Sequence, residues 1–153
     1  MSRGFDAKSV TARSGSTYPE PYRQRCMARE KRRLGDAAGL THFGVNLVRL
    51  PPGTLSSMRH WHSHEDEFIY ILEGEAVLVT EEGEQVLKPG MCAGFPANEA
   101  DGHHLANRTD KDVVYLEVGD RADKDVCEYS DIDMRGFADP AGFRYTRKDG
   151  TPY

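Results

Sequence analysis

The sequence predicts an all-β fold, either a sandwich or a barrel, and three observations support this. Short apolar runs recur at intervals of roughly ten residues, turn residues separate them, and no clear amphipathic helical pattern interrupts the series. The 153 residues are enough for one domain and too few for two ordinary ones. We therefore expect a single β domain.

The clearest strand signals lie between residues 43 and 119. Turn residues end each run, as Pro51-Pro52-Gly53 does after the first and Gly74 after the second. The predicted strands are FGVNLVRL (43–50), the apolar runs within EFIYILEGEAVLVTEEGEQVLKPGMCAGF (67–95), HHLANR (103–108) and DVVYLEVG (112–119). These runs define the β domain as residues 43–120.

Polar segments flank this domain. Residues 1–42 read as an N-terminal arm, and residues 121–153 as a C-terminal tail that packs on the barrel or on a partner subunit. Within the arm, RQRCMAREKRR (23–33) carries six basic side chains against one acid. That segment is either a phosphate-binding patch or, as we favour, a solvated stretch or an arm packed on an acidic neighbour.

Composition excludes several classes of function. A net charge of −5 and a pI near 5.7 argue against a nucleic-acid or membrane-surface protein. No apolar run approaches the roughly 18 residues of a membrane span, and the N-terminus lacks the apolar stretch of a secretory signal. The three cysteines form no CxxC pair, so a cytoplasmic protein with reduced thiols is expected, with Cys92 buried in its apolar strand.

The segment RHWHSHEDEF (59–68) concentrates three histidines within five positions. On a strand, alternate residues face the same side, so His60 and His62 would project together. The polar residues 63–66 suit a turn or bulge that re-aims the chain. Glu67 then opens an apolar run, where a carboxylate needs a partner. Two imidazoles beside such a carboxylate are typical of a transition-metal site.

A second histidine pair, His103-His104, opens the strand HHLANR. Five of the six histidines thus lie in two clusters at strand starts, and only His42 is left over. We interpret the two clusters as halves of one site.

Two linked motifs in this region resemble those of the cupin superfamily. The first is Gly53, six residues, His60-Trp61-His62, four residues, Glu67, six residues and Gly74. The second begins with Gly90, five residues and Pro96, and ends with His103, three residues and Asn107. The loop between these two parts departs from the family pattern, because Asn98 stands where glycine is usual and the Pro-to-His interval is two residues longer.

The resemblance implies a double-stranded β-helix, a jelly-roll-like barrel, with a divalent metal held by His60, His62, Glu67 and His103. His103 is preferred to His104 because three residues separate it from Asn107. A register that uses His62 and His64 ranks second, because only two residues then precede Glu67. Zn, Mn, Fe, Ni and Cu all accept such a ligand set. A metal-free polar pocket is the alternative.

Such a site suits a small oxygen-rich metabolite, an organic acid or a sugar derivative, as ligand or substrate. An enzyme would be a metal-dependent dioxygenase, decarboxylase, lyase or isomerase, with His64, His104 and Tyr115 as candidate acid/base groups. A non-catalytic sensing module with a regulatory role is the alternative, because one barrel hosts many functions. The runs FIYIL and DVVYLEV are apolar on both faces, which predicts a homodimer, and Leu105 is expected in the barrel interior.

Overall fold

The computed structural model describes residues 3–153. Strands dominate it, so the all-β prediction is confirmed. In this described range, helix is limited to α1 (Leu34–Ala37) and two 3-10 turns, Ala7–Ser9 and Tyr22–Cys26. The strands are β1 (Arg13–Ser14), β2 (Glu30–Arg33), β3 (Phe43–Leu50), β4 (His60–His62), β5 (Glu67–Glu73), β6 (Ala76–Thr80), β7 (Gly83–Leu87), β8 (Cys92–Phe95), β9 (His104–Ala106), β10 (Val113–Asp120), β11 (Asp125–Tyr129), β12 (Arg135–Asp139) and β13 (Gly142–Thr146).

The strands form three antiparallel sheets. The largest has the order β1-β2-β3-β10-β5-β8, in which β10 pairs with β3 from Val113↔Leu50 to Asp120↔Phe43. A three-stranded sheet has the order β7-β6-β9, and a four-stranded sheet the order β13-β12-β11-β4. Long-range pairing therefore brings the two ends of the chain onto the central strands.

The flanking segments contribute more strands than their polar sequences indicate. In the N-terminal arm, β2 pairs with β3 through Arg32↔Leu47 and its neighbours. In the tail, β11 pairs with β4 of the same chain through Cys127↔His62. The tail therefore belongs to the sheet that carries the first histidine cluster.

Alternate residues of the central strands form the larger hydrophobic core. Leu50, Ile71, Val113 and Tyr115 are almost fully buried there, and Leu105 is 3% exposed in the same cluster. Each such side chain contributes about 1.5–3 kcal/mol through burial. A second cluster joins the arm to the tail, and its members are Tyr18, Cys26, Leu55, Ala106, Cys127, Tyr129 and Met134.

Two turns near the motifs depend on left-handed backbone. Gly74 has φ +77°, and a Cβ there would lie 2.3 Å from the carbonyl oxygen of Asp112, so only glycine fits. Asn98 has φ +62°, and its N–H donates to the carbonyl of His62 at 2.8 Å. Asparagine tolerates this conformation better than most residues, which explains how it occupies a position where glycine is usual.

The outer face of the largest sheet is apolar and exposed. Phe68, Tyr70 and Leu72 of β5 are 39–43% exposed on it. Cys92 pairs with Tyr70 from the edge strand β8 and is itself exposed, so the expectation that it is buried was wrong. A strand at the sheet edge has a neighbouring strand on one side only, so its side chains are more accessible to solvent. Across residues 3–153, no helix has the length and apolar character needed to cross a bilayer.

Candidate metal centre

Three strands bring the two histidine clusters together. His60 and His62 lie at the two ends of β4, and the turn at 63–66 returns the chain so that Glu67 begins β5. His103 pairs with His60 in an isolated bridge, in which the His103 N–H donates to the His60 carbonyl at 2.9 Å. The four side chains expected to bind metal are therefore adjacent.

The donor atoms of this group converge. The Nε2 atoms of His60 and His62 are 3.1 Å apart, and Glu67 Oε2 lies 3.5 Å from His62 Nε2 and 2.9 Å from His103 Nε2. The donors of His60, His62 and Glu67 all lie within 4.8 Å of one another, and His103 joins them through Glu67. Ligands bound at about 2.1 Å to one ion are separated by about 3 Å, so this spacing suits a metal.

Hydrogen bonds at the opposite ring nitrogens fix the imidazole tautomers. Each Nδ1 faces an oxygen that can only accept, so Nδ1 carries a proton, and each Nε2 can present a lone pair to a metal once it gives up any proton of its own. The Nε2 atoms of His60 and His62 then face each other at 3.1 Å, a contact that is favourable with either a proton or a metal ion between them. The residues present therefore fit a metal ion. The three contacts are His60 Nδ1 to Met58 O at 2.9 Å, His62 Nδ1 to Asp125 Oδ2 at 2.6 Å and His103 Nδ1 to Asp101 O at 3.1 Å.

The electrostatics of the cluster agree with a ligand set. Burial lowers the pKa of His60 to about 4, so its ring is neutral near pH 7. Burial opposes ionisation of Glu67, but hydrogen bonds from His103 and His62 outweigh it and hold the pKa of that carboxyl well below its usual range. For His62, burial is likewise outweighed by hydrogen bonds to Asp125, Cys127 and Glu67, which raise its pKa. A metal would take the place of the proton that His62 otherwise holds.

Sequence reasoning missed Asp125, the residue that orients His62. Asp125 is 3% exposed, and its Oδ1 accepts from the His64 N–H at 2.9 Å and from Ser63 Oγ at 3.2 Å. It stands in a polar stretch with many acids, and no local pattern distinguishes it from its neighbours. Only the pairing of β11 with β4 brings it to the cluster.

Cys127 lies beside the same histidine. Its Sγ is 3.4 Å from His62 Nδ1, and with Asp125 these residues form a second group of potential metal donors. Burial raises the pKa of Cys127, which keeps it a thiol. Because Nδ1 of His62 is already bonded to Asp125, we regard this group as support for the first site.

The cluster lines a cavity of about 520 Å³. Of the three acid/base candidates, His104 and Tyr115 also line it. His64 is exposed on the turn and contacts Ser63 Oγ at 2.6 Å, so its ring lies outside the cavity. The remaining histidine, His42, is exposed elsewhere. The basic segment 23–33 reaches the same cavity through Arg29, Lys31 and Arg33.

Comparison with protein families gives one relevant match. The cupin domain profile matches residues 46–119, which include both histidine clusters. A comparison with curated proteins found no significant match.

Comparison with solved structures extends the similarity to the whole chain. A sugar phosphate isomerase of the cupin superfamily from Silicibacter pomeroyi is 47% identical, with a TM-score of 0.95 over 98% of this chain and 96% of that one. A putative sugar phosphate isomerase from Acidithiobacillus ferrooxidans is 31% identical, with a TM-score of 0.75 over 82% of this chain and 80% of that one. A predicted oxalate decarboxylase from Thermotoga maritima is 21% identical, with a TM-score of 0.61 over 76% of this chain and 97% of that one, and shares the fold alone.

Proposed function

Because this chain belongs to the cupin superfamily, we propose that it is a metal-dependent enzyme that isomerises a small phosphorylated sugar. The observation that carries the metal site is the convergence of three imidazole Nε2 atoms on the Glu67 carboxylate at the wall of one cavity. The observation that favours a sugar phosphate is the similarity to two proteins named as such isomerases, one of them 47% identical. A cavity of about 520 Å³ suits a small metabolite rather than a polymer.

His60, His62, Glu67 and His103 would hold the divalent ion. When bound, that ion would polarise the hydroxyl and carbonyl oxygens of the sugar. Three neutral imidazoles and one carboxylate suit Zn, Mn, Fe, Ni or Cu alike. Strand-borne ligands with fixed Nδ1 contacts hold the donor atoms in place before the metal arrives.

Interconversion of an aldose and a ketose moves hydrogen between neighbouring carbon and oxygen atoms and requires no external oxidant. A proton carrier that is not itself a ligand would assist this transfer. His104 suits that role, because its Nδ1 donates to the Ser57 carbonyl at 3.0 Å and leaves the Nε2 lone pair available. It also lines the cavity, whereas His64 does not.

The test combines metal analysis with a substrate screen. The purified protein is assayed by NMR with a panel of aldose and ketose phosphates, as prepared, after chelation and after addition of each candidate metal. Interconversion that is lost with chelator and restored by one metal would support the proposal. Saturable binding of a sugar phosphate without any turnover would overturn the enzyme assignment in favour of a sensing module.

We also propose that the chain forms a homodimer through the outer face of β5. Phe68, Tyr70 and Leu72 expose an apolar row there, and the neighbouring residues of β10 in register with it, Leu116 and Val118, are apolar as well. A contiguous apolar face of this kind is typical of a subunit interface. Light scattering of the purified chain tests this interface.

A further inference from the structure

Arg29 brings a positive charge into the cavity without a carboxylate to balance it. Its Nη1 donates to the carbonyl oxygen of Ser56, while its Nε is enclosed and has no hydrogen-bond partner among the described residues. No carboxylate of the described residues lies within ion-pair distance of its guanidinium, in contrast to nearby Lys31, whose Nζ is 2.6 Å from Glu117. An arginine remains charged under all physiological conditions, so this charge persists.

Glu117, a carboxylate whose charge acts on Arg29, is already hydrogen-bonded to other residues. Its Oε1 accepts from Lys31 Nζ at 2.6 Å and from Asn46 Nδ2 at 3.0 Å. Hydrogen bonds of this kind neutralise the carboxylate locally. Arg29 therefore lines the cavity with a guanidinium whose N–H donors are not all used by the described residues.

Tyr115 supplies a second unsatisfied donor in the same cavity. Its side chain is 1% exposed, and its hydroxyl is enclosed without a hydrogen-bond partner among the described residues. Burial raises the pKa of this phenol well above its ordinary value, so the hydroxyl keeps its proton and can donate. Enclosed polar groups without partners are rare in folded proteins and call for an explanation.

We propose that Arg29 and the Tyr115 hydroxyl bind the anionic group of the substrate, a phosphate monoester or a carboxylate. A planar guanidinium offers paired N–H donors that match both groups, and a desolvated one binds them more strongly than an exposed one. The anion completes the hydrogen bonds that the protein leaves unmade. The inference rests on the proposed function only in treating this anion as part of the molecule that the metal centre acts on.

This role adds to our preferred interpretation of residues 23–33 as a solvated segment or an arm packed on an acidic neighbour. Lys31 and Arg29 both line the cavity, but Lys31 packs on an acidic neighbour, whereas Arg29 has no carboxylate partner among the described residues. The exposed Arg25 of the same segment does not line this cavity and provides a matched control. For the phosphate-binding alternative, Arg29 is therefore the residue of this segment that we test.

The test measures inorganic phosphate and acetate binding to the full chain by calorimetry, before and after metal depletion. We expect Arg29→Gln to weaken binding of the preferred anion by about tenfold or more, Tyr115→Phe to weaken it less, and Arg25→Gln to leave it unchanged. The anion that binds more tightly identifies the anionic group of the substrate. A comparison of the affinities for ribose 5-phosphate and ribose tests whether a phosphate on a sugar is recognised. Equal anion affinity in the wild type and Arg29→Gln would overturn the proposal.

Thermal unfolding separates binding from a merely structural role. The preferred anion should raise the Tm of the wild type and not that of Arg29→Gln, because a ligand stabilises only the folded form that binds it. If Arg29→Gln does not fold, Arg29→Lys and Tyr115→Phe give the same comparison. Because anion binding is measured without turnover and on metal-depleted protein as well, a loss of anion binding can be distinguished from a loss of the metal site.

Discussion

The carboxylate of Asp125 accepts a hydrogen bond from Nδ1 of His62 at 2.6 Å, although 63 positions separate the two residues. This contact places the proton on Nδ1 and directs the Nε2 lone pair at the other ligands. Asp125 is itself held by the His64 N–H at 2.9 Å. The tail of the chain thereby fixes the geometry of a site whose proposed ligands all lie between residues 60 and 103.

We expect Asp125→Asn to lower metal affinity by about 10- to 100-fold, because the amide orients and polarises His62 less well than the carboxylate does. Competition with a chromophoric chelator measures the affinity. Asp123→Asn removes an exposed carboxylate from the same stretch and should change nothing. Equal affinities in all three proteins would mean that Asp125 serves only the packing of the turn.

Replacing a ligand should remove the metal. Mass spectrometry of the untagged wild type should give near-stoichiometric metal, and His60→Ala and His103→Ala should both lose it. His42→Ala is the control and should retain the metal, because that ring is exposed elsewhere. Glu67→Gln removes charge but little volume, so it should weaken binding and leave the fold intact. At metal concentrations of 100 times Kd, chelation should cost about 2.7 kcal/mol of stability. Unchanged metal content in Glu67→Gln would contradict the assignment of that ligand.

The central strands could be predicted from the sequence because the spacing of the apolar runs and the positions of the turn residues between them agree there. The run FGVNLVRL coincides with β3, and the turn residue Gly74 separates β5 from β6. The proposed ligands could be found for the same reason, since strand alternation and motif spacing are local properties. Local patterns therefore predicted the central strands and the residues that the structure places together.

The remaining features arise from long-range pairing, which leaves no local signature. Asp125 is one of many acids in its stretch and gains its role only from the pairing of β11 with β4. Arg29 is one of six basic residues in its segment, and only its position beside β2 brings it to the cavity. The exposure of Cys92 follows from the edge position of β8, which strand order alone decides.

His104 should affect turnover and not metal content. If it carries a proton, His104→Gln should lower kcat by about 10²- to 10⁴-fold while KM and metal stoichiometry stay close to wild type. His64→Gln is the matched control, because that ring lies outside the cavity. Wild-type kcat in His104→Gln would show that another group transfers the proton.

The apolar face of β5 should hold two subunits together. Light scattering should give the wild type twice the mass of the 17.1 kDa chain, and Phe68→Glu should give monomers, because a charge would be buried at the interface. Leu40→Glu changes an exposed apolar residue outside that face and should leave the dimer intact. A monomeric wild type at micromolar concentration would contradict the proposed interface.

Leu105 tests whether the predicted interior carries the stability of the fold. Its side chain is 3% exposed in the core cluster, so Leu105→Asp would bury an unpaired charge and leave a cavity. We expect the free energy of unfolding to fall by about 3–5 kcal/mol, a large part of the stability of a single domain. Val86→Asp places the same carboxylate on a neighbouring sheet at a position that is 48% exposed, and it should change stability by less than about 0.5 kcal/mol. Urea unfolding of the three proteins measures both effects, and equal midpoints would mean that Leu105 lies outside the cooperative core.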